Sequence, residues 1–181
     1  NSDGTLVEGW PADPDSGSGH NRTPRSPILL VDLDGDKYLE IISGFLDKDD
    51  PNGHWNNVFY ALRHDGTLQP GIFPVKTDYW NYNLAAADMD GNGLFEIFCH
   101  GIRYKHTGYR DYTWTRQYSN ASKLTFADLD GDGLPEFIYG TGNDGTYYGH
   151  VRAVDQHGEL LPGWPAYTIK GKWDAIDGNL V

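Results

Sequence analysis

Three copies of one acidic loop constrain the fold of this chain more than any other feature of its sequence. The copies occupy residues 32–40, 88–96 and 128–136. Each has an acidic or amide side chain at positions 1, 3, 5 and 9 and a glycine at position 4, and each lies between two short apolar runs. An Asp-Gly or Asn-Gly step between apolar runs is typical of a β-hairpin. The sequence therefore predicts three hairpins with acidic tips.

The acids in these loops are spaced as in a calcium site. Ca²⁺ binds several oxygen ligands in a flexible cage, and alternate acids in a tight loop supply them. A bare hairpin turn favours Asp-Gly or Asn-Gly but does not require acids at positions 1, 3 and 9. An EF-hand ends with a glutamate at position 12, where these loops have Ser, Cys and Tyr, so the EF-hand is rejected. The backbone carbonyl at position 7 is a further predicted ligand, supplied by Tyr38, Leu94 and Leu134.

Composition and charge restrict the class of protein and its partners. The net charge of −12 argues against a nucleic-acid partner, because phosphate backbones attract basic surfaces. Aromatic residues make up 14% of the chain, and its 23 glycines and 10 prolines suit many short strands joined by turns. No apolar run is long enough for a membrane span. Calcium loops of modest affinity favour an extracellular or cell-surface location, because cytosolic free Ca²⁺ is too low to fill them.

A second repeated motif ends in an aromatic-proline step. The segment 4–11 (Gly-Thr-Leu-Val-Glu-Gly-Trp-Pro) recurs at 158–165, and a looser copy lies at 66–74. Each copy follows a turn signal and is predicted to lead into an outer strand. The middle unit of the chain is expected to lack this step. The stretch 12–27 is rich in Asp, Ser, Gly and Pro, and we interpret it as an exposed loop.

The two motifs divide the chain into similar units of unequal length. We assign a partial blade and loop to 1–27, full units to 28–83 and 124–178, a short unit to 84–123, and the first strand of a further unit to 179–181. No stretch shows helical periodicity, whereas short apolar runs alternate with turns. The predicted fold is all-β, with about three four-stranded antiparallel blades arranged as in a propeller.

The loop pattern Asp-x-Asp-Gly-Asp/Asn-Gly-x-x-Glu between apolar strands resembles the calcium-binding FG-GAP or VCBS repeat of integrin-type β-propellers. The resemblance extends over nearly the whole chain through its three loops. It implies calcium at the hairpin between the first two strands of each blade, and an extracellular recognition or structural role. Lys37 replaces the expected glycine in the first loop, and Asn92 removes one charge from the second. The side-chain ligands that the resemblance implies are Asp32, Asp34, Asp36, Glu40, Asp88, Asp90, Asn92, Glu96, Asp128, Asp130, Asp132 and Glu136.

The number of units is too small for a closed propeller. Closed propellers have typically four to eight blades, so we expect this fold to be open at both termini. An open edge recruits another strand unless it is shielded. Two explanations remain: the terminal strands pair with further copies of the chain and propagate as a fibre, or the chain is part of a larger propeller.

One stretch has the composition of a binding surface. Residues 103–118 contain four basic residues and five aromatic residues against a single acid. In a strand, one face would present Tyr112, Trp114, Arg116 and Tyr118. Such a face can stack on sugar rings or anchor a surface protein. The alternative is an outer strand whose aromatic rings pack on neighbouring strands, with the arginine stems covering them.

The sequence contains no recognisable catalytic signature. The seven histidines lack the spacing of a zinc site, and no nucleophile-base pair has a local motif. Asn21 and Asn120 lie in sequons for glycosylation, a short pattern that often occurs by chance. We therefore predict a non-enzymatic, calcium-stabilised extracellular protein with a structural or adhesive role. A fragment of a lectin-like or polysaccharide-degrading propeller is the alternative.

Overall fold

The computed structural model describes residues 3–12, 22–47, 56–77, 83–114, 123–141 and 150–167. Within those ranges the chain forms twelve β-strands and no helix, which confirms the all-β prediction for the described part. The strands are β1 (Arg22–Pro24), β2 (Leu29–Val31), β3 (Glu40–Asp47), β4 (Asn56–Leu62), β5 (Val75–Thr77), β6 (Leu84–Ala87), β7 (Glu96–Cys99), β8 (Ile102–Tyr104), β9 (Lys123–Ala127), β10 (Glu136–Thr141), β11 (His150–Val154) and β12 (Ala166–Tyr167).

The first sheet has the order β1-β3-β4-β5, and β2 also pairs with β3. β1 and β2 lie end to end along the long strand β3, with Arg22 opposite Asp47 and Leu29 opposite Ile42. Between them, the hydroxyl oxygen of Ser26 accepts a hydrogen bond from the backbone N–H of Gly44 at 2.7 Å. The interpretation of 12–27 as a loop is therefore wrong for 22–24, because the polar residues there still pair along β3.

Two further antiparallel sheets follow along the chain. The second has the order β6-β7-β8, and the third has the order β12-β11-β10-β9. β5 and β12 each follow an aromatic-proline step and pair with β4 and β11, so the prediction of an outer strand after this motif is confirmed for two copies. The described part of the second sheet has three strands, and no sheet formed by the described residues closes on itself. An arrangement of three four-stranded blades is thus not confirmed.

The second sheet is buried on both faces because it lies between the other two. Ile97 packs in a cluster with Phe59 of the first sheet, whereas Phe98 packs in a cluster with Phe137 of the third. The rings of Phe59 and Tyr104 make an edge contact with centroids 5.2 Å apart, and those of Phe98 and Phe137 stack at 5.0 Å. Strands buried on both faces are apolar throughout instead of alternating. This explains why β7 and β8 show no alternation in burial.

All three sheets carry the same tight turn after β4, β8 and β11. In residues 63–67, 105–109 and 155–159, the first backbone N–H donates to the fifth carbonyl at 2.8, 2.8 and 2.9 Å. The middle unit was expected to lack this step, and that expectation is wrong for the turn. The turn requires a glycine with positive φ rather than a leucine or a Trp-Pro pair, and Gly66, Gly108 and Gly158 have φ of 82°, 84° and 81°.

Two copies of the aromatic-proline motif dock on the turn of another unit. The backbone N–H of Ile72 donates to the carbonyl of Thr107 at 3.0 Å. A Cβ atom added at Gly71 would overlap that same carbonyl oxygen, and one added at Gly9 would overlap the carbonyl oxygen of Asp65. These glycines therefore allow close backbone contact between units.

Replacing Gly71 by alanine is expected to destabilise the fold far more than replacing Gly163. Gly163 has φ of 86° but no described atom within 4 Å of an added Cβ, so Gly163→Ala should cost only backbone strain, about 1 kcal/mol. Gly71→Ala adds a clash with the Thr107 carbonyl and should cost about 3 kcal/mol. Urea denaturation of the two variants measures the difference. Equal free energies of unfolding would contradict this account of how the units interlock.

Candidate metal centres

Each acidic loop connects two consecutive strands that pair with each other in one sheet. Residues 32–39 join β2 to β3, 88–95 join β6 to β7, and 128–135 join β9 to β10. The paired strands hold the ends of the loop together, with Val31 opposite Glu40 and Ala87 opposite Glu96. The hairpins predicted from the sequence are confirmed, and the sheets fix the entry and exit of every loop.

The loops share one pattern of hydrogen bonds from backbone to side chain. The aspartate at position 1 accepts from the N–H of position 6 at 3.0, 2.8 and 3.1 Å in loops one to three. The side chain at position 3 accepts from the N–H of position 5 at 3.2, 3.2 and 3.1 Å. The side chain at position 5 accepts from the N–H of position 7 at 2.8, 2.7 and 2.8 Å. The backbone thus curls around the acids, and their oxygens converge.

The glutamate at position 9 closes each loop from inside the sheet. Glu40, Glu96 and Glu136 are 0%, 7% and 1% exposed. Each accepts a hydrogen bond from the backbone N–H of position 2, at 2.8, 3.0 and 2.6 Å. In Glu40 the other carboxylate oxygen, Oε1, is buried without a hydrogen-bond partner. A buried carboxylate oxygen without a partner is costly, and a cation in the loop would satisfy it.

Carboxylates from each loop come close enough to share one ion. In each of three groups the potential ligand atoms all lie within 4.8 Å of one another. The sequence predicted four side-chain ligands per loop, and the structure brings three acids of each set together in this way. The groups are Asp32, Asp34 and Asp36; Asp88, Asp90 and Glu96; and Asp128, Asp130 and Glu136.

Burial and neighbouring carboxylates raise the pKa values of Glu96 and Glu40. Burial raises the pKa of Glu96 to about 7, and the nearby Asp88 and Asp90 contribute in the same direction. Burial also raises the pKa of Glu40, with the three aspartates of its loop as further causes. A cation would favour the ionised carboxylates and reverse both shifts. The donor set therefore fits a metal ion.

The two departures from the repeat pattern, Lys37 and Asn92, leave the shape of their loops unchanged. Lys37 adopts φ of 75°, close to the 84° and 93° of Gly93 and Gly133 at the same loop position. The first loop thus keeps its shape at the cost of strain in a non-glycine residue. The amide oxygen of Asn92 accepts from the N–H of Leu94 at 2.7 Å, as the aspartates do in the other loops. It offers the same geometry without the charge.

A second layer of polar side chains supports the first loop, and the sequence analysis did not find it. Gln69, 4% exposed, donates through Nε2 to Oδ2 of Asp34 at 2.8 Å. Arg63 donates through Nε to Oε1 of Gln69 at 3.1 Å, and its Nη2 lies 3.7 Å from the same Asp34 oxygen. The ring of Tyr38 stacks on His64 with centroids 4.4 Å apart. Such outer contacts orient a ligand, but no motif in the sequence indicates them.

The predicted aromatic-basic face does not form one exposed surface in the described residues. Tyr112 is 80% exposed, but Trp114 is 4% exposed and lies in the core cluster between the second and third sheets. Trp114 is buried because its ring makes edge contacts with Phe98 and Phe137. Five other predicted positions or segments lie outside the described residues and stay predictions. They are Asn21, Asn120, Arg116, Tyr118 and 179–181.

One comparison with known protein families agrees with the architecture of the first two loops. The family model of the FG-GAP-like repeat matches residues 32–99, from the first acidic loop to the end of β7. A search of curated proteins finds no match. Among solved structures the chain is similar to the V. cholerae biofilm matrix protein Bap1, with 19% sequence identity and a TM-score of 0.42. That match covers 74% of this chain, which spans 27% of Bap1.

The described residues contain no helix long and apolar enough to cross a membrane.

The family match includes two of the three acidic loops together with the strands that hold them. The third loop repeats their hydrogen bonds and their buried glutamate outside the matched range. Residues 32–99 of the chain therefore match the model of an FG-GAP-like repeat.

Proposed function

We propose that this chain is a calcium-stabilised repeat module with a structural or adhesive role outside the cell or at its surface. The observation that carries the proposal is the common architecture of the three loops. Each gathers carboxylates whose ligand atoms lie within 4.8 Å of one another, and each is closed by a buried glutamate. Without a cation, like charges at this distance repel one another. The fold gains stability when an ion binds between them.

The chemistry of the donors favours Ca²⁺ over other ions. The acidic groups contain only carboxylates, whereas zinc sites use histidine and cysteine. Mg²⁺ demands near-ideal octahedral geometry and keeps several of its waters, while Ca²⁺ accepts more oxygens in irregular cages. The acids and amide at positions 1, 3, 5 and 9 would hold the ion with the carbonyl at position 7. The second and third loops contain no basic residue, so the ion would supply their positive charge.

The location is inferred from the calcium affinity expected of such sites, and the role from the repeat and from the packing of the sheets. Calcium sites in extracellular modules bind in about the 10⁻⁴–10⁻³ M range, so they fill outside the cell and stay largely empty in the cytosol. FG-GAP-like repeats resemble blades used for recognition or structure, and the buried contacts between the three sheets suit a rigid spacer. Strand exchange between copies of the chain remains part of the proposal.

Calorimetric titration of the full chain with Ca²⁺ tests the metal assignment. We expect Asp128→Ala to weaken binding at the third site by about 100-fold or more, because even outer-shell changes cost about 10–100-fold. Asn92→Ala should have a smaller effect, since it removes a neutral ligand and affinity follows ligand charge. The two variants change the same kind of loop by one side chain each. Equal losses, or the reverse order, would show that the loop positions are assigned wrongly.

A further inference from the structure

A groove of about 510 Å³ runs between the edge of the first sheet and the second sheet. Its floor contains buried side chains of β5 and β8, among them Val75 and Tyr104. Its sides are formed by exposed or half-buried residues of β5 and of the segment that follows β8. The groove lies apart from the acidic loops, and none of the loop residues lines it.

Two tyrosines present their rings to solvent at this groove. Tyr109 is 57% exposed and Tyr112 is 80% exposed. Nearby aromatic rings of the same segment, such as Trp114, are buried in the core. An exposed tyrosine offers a flat apolar face and a polar hydroxyl at small conformational cost. Such rings are suited to the flat apolar C–H faces of pyranose sugars, while the hydroxyls bond to sugar oxygens.

The groove is basic on an acidic protein. Lys76 points out of β5 between the buried Val75 and Thr77. The guanidinium carbon of Arg110 lies 5.4 Å from the ring centroid of Tyr112. None of the described residues that line the groove is an aspartate or a glutamate, although the chain carries a net charge of −12. A local cationic surface of this kind attracts an anion, and arginine binds carboxylates in a bidentate geometry.

From these features we propose that the groove binds an acidic polysaccharide segment that contains uronate residues. The carboxylates bind Lys76 and Arg110, and the sugar faces pack on Tyr109 and Tyr112. The proposal rests on the structural or adhesive role above and names the class of ligand for it. A nucleic acid carries one phosphate per nucleotide and would need a longer basic surface than Lys76 and Arg110 provide. An acidic peptide would match the cations but not the exposed ring faces.

Binding of the full chain to a hyaluronan octasaccharide, measured by calorimetry at low salt, tests this site. Dextran serves as the neutral saccharide and poly-glutamate as the acidic peptide. We expect hyaluronan to bind and the affinity to fall with salt. Each of Lys76→Ala, Arg110→Ala and Tyr112→Ala should reduce the affinity at least about tenfold, since the first two remove a charge-assisted hydrogen bond and the third removes a ring on which a sugar packs. Arg152→Ala, on β11 of the third sheet, is the control and should bind normally.

The other outcomes each overturn the proposal. If dextran binds as tightly as hyaluronan, charge does not determine binding. If poly-glutamate binds as tightly as hyaluronan, the groove is a site for acidic peptides. If the three groove variants bind hyaluronan as tightly as the unmodified chain does, any hyaluronan site lies elsewhere. If the unmodified chain does not bind hyaluronan, the groove is not such a site. Calcium titration of the same samples separates this result from the proposed function, because the groove residues lie outside the acidic loops. Normal calcium binding without hyaluronan binding refutes the groove alone.

Discussion

Removal of calcium is expected to lower the melting temperature of this chain by about 10–30 °C. A ligand that binds only the folded state stabilises it by RT ln(1 + [L]/Kd). With dissociation constants of about 10⁻⁴–10⁻³ M, each site contributes about 1.4–2.7 kcal/mol in about 10 mM Ca²⁺. Three sites together contribute about 4–8 kcal/mol, and each kcal/mol shifts the melting temperature by about 2–4 °C at this chain length.

Differential scanning calorimetry in Ca²⁺ and in EDTA measures this shift. Mg²⁺ at the same concentration is the control for ionic strength and for divalent charge, and it should restore only a small part of the stability. A melting curve that stays the same in EDTA, with metal removal verified by elemental analysis, refutes calcium as a structural ion of the three loops.

The calcium effect is expected to be smaller near pH 5 than near pH 7.5. The pKa of Glu96 in the metal-free fold is raised from 4.5 to about 7 by burial. Protonation of this carboxyl therefore stabilises the metal-free fold below about pH 4.5, and that stabilisation is lost as the pH rises through about 7. Ca²⁺ must displace the proton at low pH, so the difference in melting temperature should shrink. Glu96→Gln removes this titration and should weaken the pH dependence.

The parts of this fold that the sequence predicted are encoded locally. Each acidic hairpin lies within about a dozen consecutive residues, and alternating acids between apolar runs specify both the turn and its partner strands. The three hairpins therefore agree with the prediction, whereas the metal ligands stay a prediction. Three repetitions strengthened the inference further, because a chance match does not recur in the same context. The dual role of Glu40, which closes the loop through Oε2 and leaves Oε1 unpaired, was not visible in the pattern.

The parts that sequence reasoning missed depend on contacts between distant residues. Gln69 reaches Asp34 across 35 positions, and Gly71 contacts Thr107 on another unit. Neither contact recurs as a sequence pattern from unit to unit. The residue at the position equivalent to Gln69, for example, differs between units. The turn of the middle unit was not predicted because its sequence lacks the leucine and the aromatic-proline step of the other copies. The physical requirement is a left-handed glycine, which Gly108 meets.

The stretch that contains Arg103 shows the same difficulty and carries the second large prediction. Its aromatic and basic residues resembled an exposed binding face. In the structure Arg103 and Asp111 are each 8% exposed and form an ion pair, with Nη2 2.7 Å from Oδ2. Arg103 also lies over the ring of Trp114, with the guanidinium carbon 5.0 Å from its centroid. Alternation along a strand cannot distinguish a charge paired in the core from one that faces solvent.

The pair is fully hydrogen-bonded and joins two sheets. Nε of Arg103 donates to Oδ2 of Asp111 at 2.9 Å, and Nη1 donates to the carbonyl of Gln156 in the turn of the third sheet at 3.2 Å. The other Asp111 oxygen accepts from the backbone N–H of Thr113 at 2.9 Å. Burial alone would raise the pKa of Asp111, but the Thr113 hydrogen bonds and the Arg103 charge outweigh it and lower the pKa. The carboxylate is therefore ionised at neutral pH.

Asp111→Ala is expected to destabilise the fold by about 3–5 kcal/mol, because it leaves the buried guanidinium of Arg103 without a counter-charge. The corresponding fall in melting temperature is about 6–20 °C. Asp111→Asn should cost less, since the amide oxygen still accepts from Thr113. Replacing both partners with apolar residues, as in Arg103→Met with Asp111→Leu, should recover most of the loss, because the desolvated charge is then absent.

Urea denaturation of these three variants in Ca²⁺ separates the contribution of the pair from the cost of an unpaired charge. A cost below about 1 kcal/mol for Asp111→Ala would place the pair among solvent-exposed salt bridges, contrary to its burial. A double variant as unstable as Asp111→Ala would instead show that the hydrogen bond to Gln156 carries the stability. In that case Arg103 acts mainly as a bridge between the second and third sheets, and Asp111 serves to orient it.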